Sequence, residues 1–261
     1  MQTKNCRSRR IFFRVFFMLA VFGVPSVVLS ENRMAEDKLQ SQKIIRMLRP
    51  EKPGTTGEDT DSCALLLVKD WKSHKGQFIA AMDWVTFKPA TSPGGVDDQH
   101  TGYIGVFTYD SNGKSFSLRA SGTFPLEYGQ ELSDLDLAYY RLRAGTIAFG
   151  VRTLHNFGYA GGGGMNEDLI LFIAEGSAVV EVLSTCMASS SMTAGSWNDD
   201  GTRDHSENGS ETVATLAMLK SSSGGYFDIL KTRDDDKAVF RWNGSTYETS
   251  DTDPVEDVNV H

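Results

Sequence analysis

The stretch "SWNDDGTRDHSE", Ser196–Glu207, spaces oxygen-bearing side chains as a 12-residue calcium loop does, on the pattern D-x-[DN]-x-[DN]-G-x5-E. Asn198 falls at position 3, Asp200 at position 5, Gly201 at the sharp turn, Asp204 at position 9 and Glu207 at the bidentate position 12. A hard cation takes several oxygens, and the glycine lets the chain wrap around it. Ser196 stands where the anchoring aspartate belongs, and Arg203 holds a normally apolar position. The competing reading is therefore a solvated acidic hairpin loop. The expected metal ligands are Asn198, Asp200, Asp204 and Glu207, and calcium is the only cofactor the sequence offers.

Other chemistry is sparser. Paired carboxylates for acid–base work could come from Asp97 and Asp98 or from Glu167 and Asp168, provided burial shifts their protonation. The histidines lie singly at His74, His100, His155, His205 and His261, and neither G-x-S-x-G nor H-E-x-x-H occurs. "GYAGGGGMNED", Gly158–Asp168, lacks the G-x-G-x-x-G order and the following helix of a phosphate loop, so it is expected to be a loop between strands. "DSNGKS" lacks the first glycine of a Walker loop, having Thr108 there. No catalytic residue is assigned.

Residues 1–30 contain Lys4, Arg7, Arg9, Arg10 and Arg14 and no acid; an apolar run, Val15 to Val24, and the small-residue stretch "VVLS" follow. This is the form of a secretory signal peptide, cleaved after Ser30, with Ser26 also fitting. The apolar run is about ten residues, against roughly 20 for a bilayer span, so no stable membrane span is expected after cleavage. "SRRIFFR", Ser8–Arg14, resembles the twin-arginine export motif at Ser8, Arg9, Arg10 and Phe12, and departs from it at Phe13 and Arg14. That resemblance implies a bacterial protein exported already folded; an ordinary basic n-region on the general secretion route is the alternative. The expected location is periplasmic or secreted.

Removing residues 1–30 leaves 21 Lys and Arg against 34 Asp and Glu, a net charge near −13. Nucleic-acid affinity comes from clustered cations displacing counterions, so an acidic chain with no basic stripe excludes that class of partner. Of the three cysteines, Cys6 leaves with the signal, and in an oxidising compartment Cys63 and Cys186 are expected to pair. Such a disulfide would contribute up to about 4–5 kcal/mol on the chain-entropy account.

The elements that must position these residues read as strands. Residues 31–49 have the loose amphipathic pattern of a short helix, through Met34, Leu39, Ile44, Ile45, Met47 and Leu48. "RPEKPGTTGEDTDS", Arg49–Ser62, reads as a linker. From Cys63 onward short apolar runs alternate with turn residues: "WVTF" (Trp84–Phe87), a Pro/Gly loop over Lys88–His100, then "GYIGVFTY" (Gly102–Tyr109). The turn "DSNGKS" follows, its Asn-Gly pair favouring the positive φ of a hairpin. "GTIAFGVRT" alternates as a half-buried strand, and "DLILFIAEG" is apolar on both faces, as a central strand is. Ser133–Arg143, "SDLDLAYYRLR", fits a helix, and its aromatics fit a strand. Nine or ten such runs predict an all-β domain: a mostly antiparallel sandwich or barrel-like sheet with a short N-terminal helix. The expected division is 1–30 signal peptide, 31–62 helix and linker, 63–250 β domain and 251–261 tail.

"FRWNGSTYE", Phe240–Glu248, resembles the closing hairpin, F-x-W-[Asn/Asp]-G-x-x-Y, of uncharacterised bacterial exported proteins. The resemblance implies compartment more than activity. The function these readings favour is a non-catalytic binding or envelope-associated protein with a protein, peptide or glycan ligand. The alternative is a hydrolase of an envelope polymer using loop carboxylates.

Overall fold

The computed structural model describes residues 39–50, 62–89, 96–127, 129–159, 162–193, 195, 198–200 and 209–249. They fall almost wholly within one compact unit, Gln40–His261. The segments expected to be signal peptide and tail, and most of the expected linker, lie outside the described residues.

One helix, α1 (residues 39–48), precedes twelve strands. In chain order these are β1 (Ser62–Asp70), β2 (Gln77–Pro89), β3 (Val96–Tyr109), β4 (Phe116–Pro125), β5 (Gln130–Arg143) and β6 (Thr146–Tyr159). They continue as β7 (Gly162–Glu175), β8 (Ala178–Thr193), β9 (Gly209–Ser223), β10 (Tyr226–Arg233), β11 (Asp236–Trp242) and β12 (Tyr247–Thr249). Consecutive strands pair antiparallel, as hairpin connections require, except that β4 leaves β5 and meets β8 through a single parallel bridge, Ser121 to Ala178. The fold is all-β and sandwich-like.

Strand alternation sorts the apolar residues into layers. Ile79 and Ala81 of β2, Ile104 and Val106 of β3, and Phe124 of β4 face Leu135, Phe149, Val151, Ile170 and Phe172 of β5–β7 across the central core. The opposite parity of β2, Phe78, Ala80 and Met82, packs with Phe107 under Ile44 and Leu48 of α1. The opposite parity of β7, Leu169, Leu171 and Ile173, packs under Ile229, Phe240 and Tyr247 of β10–β12. Strands buried on both faces read as continuous apolar runs, which accounts for "FIAAM" and "LILFI".

Helix α1 presents Ile44 and Leu48 one turn apart, and burying each contributes roughly 1.5–3 kcal/mol. The helix stops before Pro50, whose ring disfavours helical backbone at Arg49. The β4–β8 junction depends on Gly122, where a Cβ would lie 2.4 Å from the Val179 carbonyl oxygen.

One open reading is decided and two expectations change. Ser133–Arg143 is strand, and register shifts between Leu132 and Asp134 and between Asp136 and Tyr140 break its alternation into a helix-like spacing. The loop expected over Lys88–His100 is mostly ladder, paired from Pro89–Val96 to Val85–His100. Gly162–Gly164 is likewise strand, paired to Phe157–Tyr159. At Gly164 a Cβ would meet the Ser190 carbonyl oxygen at 2.4 Å and the Phe157 ring at 2.6 Å, so close packing, not looseness, requires the glycine.

Candidate functional site

The face of β5–β7 that carries Leu169, opposite to the one on the central core, also carries a polar cluster centred on Arg152. Register places Arg152 opposite Asp134 of β5 and Leu169 of β7, so the diagonal neighbours on its face are Asp136 and Glu167. Arg152 Nε and Nη2 donate to Asp136 Oδ2 at 2.9 and 2.6 Å, and Nη1 donates to Glu167 Oε1. Burial opposes the charge, but the hydrogen bonds to both carboxylates outweigh it and hold the guanidinium above its usual pKa. Tyr140 Oη donates to the same Asp136 oxygen at 3.1 Å, and burial first, then the Asp136 charge, pushes the phenol far above its ordinary range. One guanidinium thus bridges two carboxylates through charge-assisted hydrogen bonds.

Glu167 and Asp168 do not form the expected acid–base pair. Successive strand residues point to opposite faces, and Asp168 instead accepts a hydrogen bond from Gln130 Nε2 at 3.2 Å, while the same nitrogen donates to Thr153 Oγ1. Asp97 and Asp98 pair through their backbones with Lys88 and Phe87, and their side chains lie outside those described. A third carboxylate, Asp83 of β2, is 3% exposed, and both its oxygens lie 3.0 Å from His100 Nδ1 on β3. His74 stacks on Trp71 with ring centroids 3.7 Å apart, and burial first, then Arg119, holds it below the usual histidine pKa. His205 and His261 lie outside the described residues.

A recess of about 610 Å³ lies where the ends of β7, β8 and β9 run side by side. Gly162, Gly163 and Gly164 contribute backbone only, beside Ser190, Ser191 and Ser210. Ser191 and Ser210 hydroxyls are hydrogen-bonded at 2.7 Å, Glu211 adds one charge, and Met192, 63% exposed, adds apolar surface. A smaller recess of about 180 Å³ lies beside the β10–β11 turn, lined by Lys231, Arg233, Asp236, Lys237 and Ala238.

Of the expected calcium ligands, Asn198 and Asp200 are exposed, and Asp204 and Glu207 lie outside the described residues. Among the described residues no group of three or more His, Cys, Asp or Glu is placed to hold a metal ion. The expected disulfide is not formed: Cys63 and Cys186 are both free thiols. Cys63 is on β1 and Cys186 on β8, with β2, β3 and β4 between them in the hydrogen-bonded order. Four strand spacings of about 4.8 Å put them about 19 Å apart along the sheet, whereas a disulfide holds its Cα atoms about 5.5–6 Å apart. Each Sγ turns to a nearby carbonyl, Cys63 to Leu65 and Cys186 to Ala188, and burial, with Asp83, pushes the Cys63 thiol above its usual pKa.

The closing hairpin acts as a clasp. Asn243 Oδ1 accepts from the Ser245 and Thr246 amides, Gly244 takes φ +113°, Thr246 Oγ1 donates to the Val182 carbonyl and Tyr247 Oη to the Phe227 carbonyl. Trp242 stacks on Tyr226 at 4.2 Å. Its conspicuous residues fasten β11–β12 to β8 and β10.

Arg152, Asp136, Asp83, Lys231 and Arg233 were not singled out from the sequence. Asp83 carried a legible signal, a lone acid inside "FIAAMDWV"; the arginines carried none. Comparison of the chain with family profiles, with curated proteins and with solved structures finds no match.

Proposed function

We propose that this is an exported, non-catalytic binding protein of the bacterial envelope, periplasmic or secreted. Its ligand, a protein, peptide or glycan, is received in the recess at the ends of β7–β9. The observation that carries this reading is the character of that recess: an open floor of about 610 Å³ built from glycine backbone and serine hydroxyls, with exposed Met192 beside it. Ligand sites combine apolar contact with a few polar groups that fix orientation. Four of the described carboxylates are held by partners, Asp136 and Glu167 by Arg152, Asp83 by His100 and Asp168 by Gln130.

The test is a screen of the purified protein against peptide and envelope-glycan arrays, followed by titration of the strongest hit. Ser191→Trp fills the recess from an exposed position and is expected to weaken that hit at least tenfold, with an unchanged melting temperature. Equal binding by wild type and Ser191→Trp would remove the recess from the account. Release of soluble fragments from an envelope polymer by the wild type would replace binding with hydrolysis. Export is tested separately: the mature N-terminus recovered from a bacterial host is expected to be Glu31.

A further inference from the structure

We infer that the recess beside the β10–β11 turn binds a phosphate-type oxyanion, received by the Arg233 guanidinium and the Lys231 ammonium. The inference does not depend on the β7–β9 recess, with which this one shares no lining residue.

Lys231 and Arg233 lie two residues apart on β10, hence on the same face, opposite Ala238 and Asp236 of β11. That face is the one Ile229 turns toward β8, and both side chains reach it: Lys231 Nζ donates to Thr185 Oγ1 at 2.8 Å and Arg233 Nη2 to the Cys186 carbonyl at 3.4 Å. Two cations are thus brought together on a half-buried surface. Such a pair ordinarily has carboxylates between its members. Here, among the described residues, Arg233 forms no ion pair, and its Nε is buried without a hydrogen-bond partner. Asp236, opposite Arg233 in the ladder, is exposed and forms no ion pair with it.

A guanidinium that forms no ion pair among the described residues, lining a recess together with an ammonium, offers what a tetrahedral oxyanion needs. The planar fork supplies parallel donors, and the ammonium supplies a point charge. The volume of about 180 Å³ suits a single such group and its waters, with a ring or chain left outside. Burial, then Arg233, holds Lys231 below the usual lysine pKa, and Asp168 and the Cys186 thiol only partly offset that. An anion in the recess would relieve the repulsion between the two cations.

The group could arrive free or as a sugar monoester, and the experiment separates the two. The full-length mature protein is titrated calorimetrically with inorganic phosphate, with a hexose phosphate and with the unphosphorylated hexose, at ionic strength held constant with chloride. Saturable binding of phosphate and hexose phosphate alike, and not of the hexose, is expected. Binding of hexose phosphate alone would retain the site and identify its source as a glycan. Arg233→Gln is expected to lose at least tenfold in affinity. Asp236→Asn, at an exposed position that should fold normally, is expected to gain about threefold by removing a competing carboxylate. No saturable binding beyond the chloride control, or affinity unchanged in both variants, would overturn the proposal.

Discussion

Arg152 and Arg233 sit at similar depth, each on a strand with partners on both sides, yet their surroundings differ. Arg152 stands between two carboxylates brought to it by β5 and β7, and each of its three nitrogens donates to one of them. Arg233 has one long bond to a carbonyl and a buried donor with no acceptor. The first arginine is a rivet, because its removal would strand two negative charges on a largely covered surface. The second is spare capacity, because its removal would strand no charge. The same side chain thus serves stability in one layer and is available for recognition in the next.

Stability measurements offer the strongest way to break this contrast. Arg152→Met is expected to cost about 3 kcal/mol in urea unfolding, the scale seen when one partner of a buried ion pair is removed. Arg152→Met combined with Asp136→Asn and Glu167→Gln should recover part of that loss. A loss below about 1 kcal/mol would make the Arg152 cluster an ordinary surface pair. His100→Ala should follow at about 2 kcal/mol, because it leaves the covered Asp83 carboxylate without its partner.

A smaller effect is expected from the clasp, where Tyr247→Phe removes the bond to the Phe227 carbonyl and should cost about 1 kcal/mol. Alkaline titration sharpens the same comparison. Tyr140 and Tyr247 both have folded pKa values raised above their unfolded ones, chiefly by burial. The neutral phenol is therefore favoured by folding, so the stabilisation is complete below about pH 10, the ordinary tyrosine value, and is lost as pH rises beyond it. The urea midpoint should fall steeply above that pH, and Tyr140→Phe should flatten the slope; an unchanged slope would uncouple Tyr140 from the Arg152 cluster. The smallest effect belongs to Arg233→Gln, expected within about 0.5 kcal/mol of wild type in the absence of anion. A large loss there would make Arg233 a second rivet.

Most of the strands were legible because their signal is local. "GTIAFGVRT" alternates, "DLILFIAEG" is covered on both faces, and Asn112-Gly113 and Asn243-Gly244 turn where expected, with Gly113 at φ +68° and Gly244 at φ +113°. Ser133–Arg143 was ambiguous because bulges disturb its period, and a bulge is a property of the pairing rather than of the strand alone. The glycine run at Gly162–Gly164 was misread for a related reason. Glycine signals both a loop and a close approach, and only the neighbouring Phe157 and Ser190 distinguish them.

The sequence by itself determined an all-β chain with one short amphipathic helix, its hairpin turns and one strand covered on both faces, "DLILFIAEG". These follow from side-chain alternation and turn chemistry, which act within a few residues. Tertiary structure alone decided which charges meet. Asp136 and Glu167 are 16 and 15 residues from Arg152, and Cys186 is 47 residues from Arg233. Such encounters depend on register and layer order, where a slip of one residue turns every side chain to the other face. That is why Cys63 and Cys186 could be expected to pair and yet lie on strands with three others between them, and why two arginines alike in sequence differ in role.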